Sequence, residues 1–259
     1  MGHNLYSRMG FDLNNIGIIF IGTGPYIGFL EGFRNRVERF FCPGDKKTIY
    51  AFTDQINHPS LDHKIIDTIE IEHVGWPFIT LHRFKFMNSI SDKLLNHSHV
   101  FFIDADLWPV DEISFFDFFN EKEDHELIAV QHPGFLDKPG TFEDNKDSTA
   151  FAYSGFYDLS VYRQGCFWGG TTEAILEMVS ICEKNVDIDT RNNIIAKWHD
   201  ESHMNKYFLK NLNNVKTLNS GYATPEAPGY DFVWNTYSVK MVHLNKDPNE
   251  FPRFEGSGK

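Results

Sequence analysis

The sequence predicts an α/β fold with a mostly parallel central sheet flanked by helices. Two observations lead to this prediction. Through the first half of the chain, continuous apolar runs, typical of strands buried on both faces, alternate with segments whose apolar residues recur at helical spacing. In addition, the 259 residues contain no repeat, low-complexity segment or linker, which favours a single domain over residues 1–259.

The elements of the first half follow from these patterns in order. Residues 16–22 (IGIIFIG) form a continuous apolar run that stops before a Gly-Pro pair, which predicts the first strand. Residues 26–41 carry apolar side chains at three- and four-residue spacing and predict a helix. Short apolar runs at residues 48–52 and 64–71 predict the next two strands.

The pattern continues into the second half. Residues 81–95 place their large apolar side chains on one stripe, which predicts a helix. Residues 100–103 and 127–130 are apolar runs that predict strands. Two more helices are predicted at about residues 171–184 and 191–212, and the remaining C-terminal segment is rich in loops.

Composition limits the possible partners and location. Lys and Arg total 24 against 36 Asp and Glu, a formal net charge of -12, so the surface should repel nucleic acid and anionic lipid. The three widely spaced cysteines fit neither a disulfide framework nor a thiolate zinc site. No apolar run approaches the roughly 18 residues of a membrane span, and the first residues lack the pattern of a signal peptide. We therefore expect a soluble, cytoplasmic protein that binds neither nucleic acid nor membrane.

One motif joins an apolar run to two carboxylates. HVFFIDADLWPV (residues 99–110) leads from the predicted strand directly into Asp104 and Asp106. In open α/β sheets, ligands bind beyond the carboxyl ends of the strands. Carboxylate oxygens suit Mg²⁺ or Mn²⁺, ions that are commonly shared with substrate phosphates. An acidic turn without a metal would show the same pattern, so both interpretations stay open on this motif alone.

A second motif, AKWHDESHMNKY (residues 196–207), lies on a predicted helix. Spacing places these residues on one face: Ile194, Trp198, Glu201, Asn205 and Phe208. A glutamate between aromatic side chains should be partly desolvated, or else paired with a cation such as Arg83. His199 and His203 have the spacing of a metal pair, but the order of HDESH differs from that of the zinc proteases.

Two further segments are rich in glycine. YRQGCFWGG (residues 162–170) could bring its backbone close to a ligand, or could be a turn between strands. IGTGPY (residues 21–26) lacks the full dinucleotide fingerprint, and no acidic residue follows at the required distance. We therefore reject a nicotinamide site.

Taken together and in order, these segments resemble glycosyltransferase family six, which contains the ABO blood-group transferases, the α-1,3-galactosyltransferase and bacterial and phage relatives. The resemblance covers about residues 16–225, and WHDESHMNKY is its most specific part. The matching pieces are YAFTDQ (residues 50–55), FFIDAD (101–106), HPGF (132–135), GCFWGG (165–170) and WHDESHMNKYFL (198–209).

The resemblance implies a single-domain, nucleotide-sugar-binding glycosyltransferase fold of type A. About residues 16–130 would form the UDP-binding half, and about 131–245 the half for donor sugar and acceptor, with a C-terminal tail. It also implies a retaining, Mn²⁺- or Mg²⁺-dependent transfer of Gal or GalNAc from a UDP-sugar to an oligosaccharide acceptor. That acceptor would be of galactoside type, fucosylated or plain, and the linkage α-1,3. A UDP-sugar hydrolase with weak transfer and a non-catalytic glycan-binding module are the alternatives.

Site residues carry over position by position. Glu201 matches the catalytic glutamate, and Asp104 and Asp106 match the metal-binding pair. Ile21 replaces an aromatic residue, so its stacking on uracil should be weaker, and Cys166 is larger than the usual glycine or alanine, which favours a donor with a 2-hydroxyl group. The donor-binding positions are Ile21, Thr23, Tyr26, Arg83, Asp104, Gln164, Gly165, Cys166, Asp200, Lys246 and Arg253. The acceptor-binding positions are His132, Thr141, Trp198, His199 and Glu226.

Overall fold

A computed structural model describes residues 14–120, 123–247 and 251 of the chain. It confirms the α/β class, with a seven-stranded central sheet and a separate three-stranded sheet. The strands of the central sheet are β1 (Asn15–Ile21), β2 (Lys46–Thr53), β3 (Ile66–Glu70), β4 (His99–Ile103), β6 (Leu127–Gln131), β7 (Arg163–Thr171) and β8 (Val215–Leu218). The small sheet is formed by β5 (Leu107–Pro109), β9 (Thr224–Pro225) and β10 (Met241–His243).

The central sheet is mostly parallel, as the sequence predicts. Its strand order is β3-β2-β1-β4-β7-β6-β8. Strands β3, β2, β1 and β4 pair in parallel, as do β6 and β8, whereas β7 runs antiparallel to both of its neighbours. The carboxyl ends of β1, β2 and β4 therefore lie along one edge, where a ligand site is expected.

Helices cover the sheet. A 3₁₀-helix over Gly24–Phe29 leads into the first α-helix. The α-helices are α1 (Leu30–Phe40), α2 (Phe78–Leu81), α3 (Arg83–Asn88), α4 (Ser91–Leu94), α5 (Phe115–Phe118), α6 (Thr172–Arg191), α7 (His199–Lys210) and α8 (Asp231–Thr236). Within the part of the chain that the structure describes, no helix combines the length and the apolarity needed to cross a membrane.

Two large apolar layers, one on each face, form the core of the central sheet, and a smaller cluster lies around Phe142 and Tyr162. Because successive side chains of a strand point to opposite faces, Ile18 of β1 lies in the layer under α1, and Ile19 lies in the layer under α3 and α6. Phe101 and Phe102 of β4 divide in the same way. Each fully buried side chain of this size contributes about 1.5–3 kcal/mol. Burial on both faces explains why these strands are continuous apolar runs in the sequence.

Two helix predictions need correction. Residues 81–95 do not form one helix, because the backbone breaks at His82 and Ile90 and divides the segment into α2, α3 and α4. The apolar stripe is nevertheless buried, so its burial does not require a continuous helix. The last predicted helix begins at His199 rather than at residue 191, because Asn193 and His199 adopt positive φ angles of 58° and 50°. The preceding helix, α6, instead continues to Arg191.

Residues 162–170 are not a turn between strands, because most of this segment is strand β7, which lies inside the sheet between β4 and β6. Its glycines provide room for neighbouring strands. A Cβ atom added at Gly169 would collide with the Phe101 ring, and one at Gly170 would collide with the carbonyl oxygen of Glu126. These two glycines therefore serve sheet packing rather than the approach of a ligand, whereas Gly165 lies elsewhere, at the candidate site.

Candidate active site

Asp104 and Asp106 directly follow strand β4 and lie at the carboxyl edge of the sheet. The backbone N–H of Asp104 donates to the carbonyl oxygen of Cys166 in β7, at 2.9 Å. A turn follows, in which Leu107 N–H donates to the carbonyl oxygen of Asp104, also at 2.9 Å. The Asp104 side chain is 28 % exposed, but that of Asp106 is only 5 % exposed. The two carboxylates therefore occupy different environments although they belong to one motif.

Asp106 is surrounded by cationic groups from the C-terminal segment. His243 Nε2 lies 3.3 Å from Asp106 Oδ1, and the Lys246 ammonium forms an ion pair with Oδ2. Although burial opposes this effect, His243 and Lys246 hold the pKa of Asp106 well below its usual range. The pKa of His243 is raised despite its burial, because Asp106 accepts a hydrogen bond from it and adds a negative charge.

The same residues could hold a metal ion. Asp104, Asp106 and His243 each offer one ligand atom, and these atoms all lie within 4.8 Å of one another. Two carboxylate oxygens and an imidazole nitrogen suit a divalent cation such as Mn²⁺. The donor set therefore fits the predicted metal. His243 was missed from the sequence, since an isolated histidine in a loop-rich segment gives no spacing signal.

Arg83 connects the candidate metal site to helix α7. Its Nη1 atom lies 2.9 Å from Asp200 Oδ2 and donates to the carbonyl oxygen of Gly165 at 2.9 Å. Its Nη2 atom lies 3.5 Å from Asp104 Oδ1. The guanidinium group also stacks over the Phe102 ring, 4.3 Å from its centroid. Burial raises the pKa of Asp200 to about 6, and Arg83 limits that rise.

Glu201 faces the other backbone group of Gly165. The Gly165 N–H donates to Glu201 Oε2 at 2.6 Å. Burial raises the pKa of Glu201 to about 7, although this hydrogen bond lowers it. Asn205, one turn later on α7, exchanges two hydrogen bonds with the backbone of Arg163 in β7, at 2.7 and 3.0 Å. These hydrogen bonds hold helix α7 against β7 close to Glu201.

The expected surroundings of Glu201 are only partly observed. Ile194 and Trp198 precede α7, and Trp198 is 46 % exposed, so it does not desolvate the glutamate from the same helix face. Nor does Arg83 pair with Glu201, since it is bound to Asp200 instead. Among the residues that the structure describes, no Lys, Arg or His nitrogen lies within ion-pair distance of Glu201.

The predicted donor-binding positions Ile21, Thr23 and Tyr26 lie at and just after the carboxyl end of β1. Thr23 Oγ1 lies 2.9 Å from His73 Nδ1, and Tyr26 faces the Lys246 ammonium, 5.1 Å from its ring centroid. Gly24 N–H donates to Asp54 Oδ1 at 2.9 Å. A cavity of about 630 Å³ adjoins these residues and is lined by Asp54, Glu70, Ile71, Glu72 and His73.

Comparison with known proteins decides the family. The model of the family "Glycosyltransferase family 6" matches residues 5–251, nearly the whole chain. The chain belongs to glycosyltransferase family 6. It is 34 % identical over 217 residues to the O-antigen biosynthesis glycosyltransferase WbnI of Escherichia coli, covering 83 % of this chain and 89 % of the relative. Family membership supports a glycosyltransferase acting with a nucleotide-sugar donor and a glycan acceptor.

Relatives from vertebrates share less of their length with this family member. The chain is 27 % identical over 208 residues to the histo-blood group ABO system transferase 2 of Rattus norvegicus, covering 77 % of this chain and 61 % of the relative. It is 27 % identical over 214 residues to the human globoside alpha-1,3-N-acetylgalactosaminyltransferase 1, covering 76 % of this chain and 57 % of the relative. The chain therefore spans less than two thirds of these two relatives.

The predicted acceptor residues of this family 6 protein differ in their contacts and exposure. His132 accepts a hydrogen bond from Gly134 N–H at 2.9 Å, and burial lowers its pKa to about 4. The His199 ring contacts Trp76, with centroids 4.5 Å apart. Thr141 is exposed, whereas Glu226, also exposed, accepts a hydrogen bond from Asn245 N–H at 2.9 Å.

The remaining donor positions differ in their exposure. Gln164 is partly exposed, but Cys166 is 2 % exposed and belongs to the apolar layer under α1. The pairing of β6 with β7 shifts register between Ala129 and Val130, which sets the segment around Gly165 apart from the regular ladder. Arg253 lies outside the described residues.

Proposed function

We propose that this protein is a retaining transferase that moves Gal or GalNAc from a UDP-sugar to a galactoside-type acceptor in α-1,3 linkage, with a divalent metal ion. One observation carries the proposal. The Gly165 N–H donates a hydrogen bond to Glu201, and the Gly165 carbonyl oxygen accepts one from Arg83. Arg83 also contacts Asp104 and Asp200. The predicted metal ligand, donor contact and catalytic glutamate thus meet around one glycine.

Charge supports a role for the metal. A diphosphate approaching a chain of net charge -12 needs local cations. Asp104 and Asp106 would hold the ion, which when bound would offset the charge of the diphosphate and of the departing UDP. The Lys246 ammonium group lies beside both Asp106, a predicted metal ligand, and Tyr26, a predicted donor-binding residue.

Glu201 would act at the anomeric carbon. With a pKa of about 7, it is substantially ionised at neutral pH, and its carboxylate would stabilise positive charge developing there. Retention then has two routes. In the first route, Glu201 attacks the anomeric carbon as the bond to UDP breaks and is later displaced by the acceptor hydroxyl. In the second, Glu201 stabilises a transfer in which that hydroxyl adds on the face that UDP leaves. The hydroxyl proton would pass to a phosphate oxygen of the departing UDP. Both routes use the same residues.

Donor choice is proposed from one side chain. Cys166 matches a position near the C2 substituent of the donor sugar, and it is bulkier than glycine or alanine. We therefore favour a donor with a 2-hydroxyl group, Gal or Glc, over GalNAc. The names of the relatives include both an alpha-1,3-N-acetylgalactosaminyltransferase and an alpha-1,3-galactosyltransferase, so they do not determine the donor.

Product analysis tests the proposal. The protein is incubated with UDP-Gal, UDP-GalNAc or UDP-Glc and with fucosylated or plain galactosides, and the linkage of any product is determined by NMR. We expect an α-1,3-linked product and loss of transfer of roughly 10²-fold or more in Glu201→Gln, with UDP affinity kept. Equal release of free sugar with and without acceptor would instead indicate a hydrolase. Glycan binding without UDP binding would indicate a binding module.

A further inference from the structure

We propose that His243 is a third protein ligand of the metal ion, that it gives the site a preference for Mn²⁺ over Mg²⁺, and that Lys246 occupies Asp106 until the ion enters. This inference rests on the proposed metal-dependent function, which names only the two aspartates. His243 lies outside the sequence motifs that carry the predicted site residues.

The distances fit a shared ion. In an octahedral shell with bonds of about 2.1 Å, adjacent ligand atoms lie about 3 Å apart and opposite ones about 4.2 Å apart. His243 Nε2 and Asp106 Oδ1 are 3.3 Å apart, close to the spacing of adjacent ligands. The full set with Asp104 spans no more than 4.8 Å. Small side-chain adjustments would therefore bring all three atoms around one ion.

The backbone holds His243 beside Asp106 on both sides. Strand β10 pairs antiparallel with β5, with His243 opposite Leu107, and Leu244 N–H donates to the Asp106 carbonyl oxygen at 2.9 Å. On the other side, Glu226 N–H donates to the His243 carbonyl oxygen at 3.0 Å. The imidazole is thus carried by a strand that is paired on both sides.

Ligand chemistry predicts the preference between ions. Mg²⁺ takes oxygen ligands almost exclusively, whereas imidazole is a favourable ligand for first-row transition metals. A site of two carboxylates alone would discriminate weakly between Mg²⁺ and Mn²⁺. Adding the His243 nitrogen should strengthen Mn²⁺ binding and leave Mg²⁺ binding little changed.

Lys246 has the opposite role in the absence of nucleotide. Its ammonium forms an ion pair with Asp106 Oδ2, and a divalent cation bound by that carboxylate would be repelled by it. Metal entry therefore requires Lys246 to leave Asp106. Substitutions of His243 and of Lys246 should therefore change the Mn²⁺ affinity in opposite directions. Loss of a ligand weakens Mn²⁺ binding, whereas loss of a competing cation strengthens it.

Direct metal binding tests the inference without any turnover. Mn²⁺ is titrated by electron paramagnetic resonance into the whole protein without donor, and bound Mn²⁺ is examined for nitrogen modulation by electron spin echo spectroscopy. We expect His243→Gln to weaken Mn²⁺ binding by about 10-fold or more, to lose the nitrogen signal and to keep its Mg²⁺ affinity. Lys246→Gln should bind Mn²⁺ several-fold more tightly, because the competing charge is gone.

Matched controls come from the same residue types elsewhere. His63 lies 4.0 Å from Glu38, and Lys240 lies 2.6 Å from Asp111, so His63→Gln and Lys240→Gln each remove a similar neighbour of a carboxylate outside the cluster. Both should bind Mn²⁺ like the wild type. Thermal melting of each variant confirms folding, and the nitrogen signal of the wild-type protein decides the ligand even where a variant is unstable.

The possible failures are distinguishable. Wild-type Mn²⁺ binding without a nitrogen signal would overturn the role of His243 and leave the proposed function standing. Tighter Mn²⁺ binding by His243→Gln would overturn it as well, since it would make His243 a competing cation like Lys246. Absence of Mn²⁺ binding to the wild-type protein, with and without UDP, would overturn both the inference and the metal dependence of the proposed function.

Discussion

Arg83 and Asp200 form a buried ion pair, with Nη1 and Oδ2 2.9 Å apart and both side chains less than a tenth exposed. Glu201, the next residue of α7, accepts hydrogen bonds from the Gly165 N–H and from the Tyr162 side chain, and neither partner is cationic. Two adjacent acids on one helix therefore differ in their electrostatic compensation. One stabilises a buried cation, and the other is held desolvated, which is the condition of a reactive carboxylate.

The pair predicts a large loss of stability in Asp200→Asn. Removing Asp200 leaves Arg83 buried with the Gly165 carbonyl oxygen and the more distant Asp104 as partners, and breaking a buried pair typically costs about 3–5 kcal/mol. Since Asp104 and the remaining amide offer partial compensation, we expect about 3 kcal/mol. Urea unfolding at pH 8, above the Asp200 pKa of about 6, measures it. A variant as stable as the wild type would show that Asp104 alone satisfies Arg83.

Glu201→Gln should have the opposite effect on stability. The folded-state pKa of Glu201 is raised from 4.5 to about 7, so folding favours the protonated form. The stability that Glu201 contributes to the folded protein is therefore fully present below about pH 4.5 and lost as pH rises through about 7. Above that, the variant should be more stable than the wild type by on the order of 2 kcal/mol, because an amide carries no charge to desolvate.

Unfolding at pH 5 and pH 8 measures this difference, with Asp200→Asn as the comparison. The gain in Glu201→Gln should appear at pH 8 and be nearly absent at pH 5. A melting temperature below that of the wild type at both pH values would mean instead that Glu201 stabilises the fold through its hydrogen bonds with Gly165 and Tyr162.

The same pKa predicts the acid limb of activity. If Glu201 acts as a carboxylate, kcat/KM should rise with pH through about 7 and level off above it. The sign follows because protonation removes the negative charge needed at the anomeric carbon. Rates at saturating metal over a pH series test it, with denaturation checked at each pH. A profile that falls through this range would mean that Glu201 acts in its protonated form.

Much of the fold follows from the sequence because the central strands are buried on both faces. Strands β1, β2, β4 and β6 read as apolar runs, and each was predicted. Strand β7 was not, because its glycines lower strand propensity although they are needed for packing against Phe101 and Glu126. The start of α7 was missed because a positive φ at His199 has no signal in residue periodicity.

The candidate site, like the fold, could be predicted from the sequence only in part. The resemblance places Asp104, Arg83 and Asp200 on separate segments, and the structure brings them into contact. Their roles remain predictions. His243 reaches Asp106 only through the pairing of β10 with β5, two three-residue strands far apart in sequence. Strands so short have no readable period, so a partner supplied by them is invisible before the tertiary structure is known.

Cys166→Gly tests donor choice. If the thiol crowds the C2 substituent, removing it should raise the use of UDP-GalNAc relative to UDP-Gal. The side chain is only 2 % exposed and packs in the apolar layer under α1, so the variant should also lose stability, by about 1–2 kcal/mol. Competition assays with both donors measure the ratio. An unchanged ratio would mean that Cys166 acts only as a core residue.

The two aspartates of the metal motif should separate activity from stability. EDTA should abolish transfer, with Mn²⁺ restoring it at least as well as Mg²⁺, and Asp104→Asn and Asp106→Asn should each lose most of it. Their melting should differ, because Asp106 is buried against His243 and Lys246 while Asp104 is partly exposed.

For Asp104→Asn we expect a free energy of unfolding within about 0.5 kcal/mol of the wild type, and for Asp106→Asn a loss of about 1–3 kcal/mol, since two cationic groups lose their acceptor. The pKa of Asp106 is lowered in the folded protein. Its contribution to the free energy of unfolding is therefore present at neutral pH and lost as the pH falls through the folded-state pKa. Unfolding in EDTA at neutral and acidic pH measures this, and the deficit of Asp106→Asn should shrink in acid. Undiminished transfer in EDTA would show that both carboxylates serve the ion pairs of this edge and not a metal.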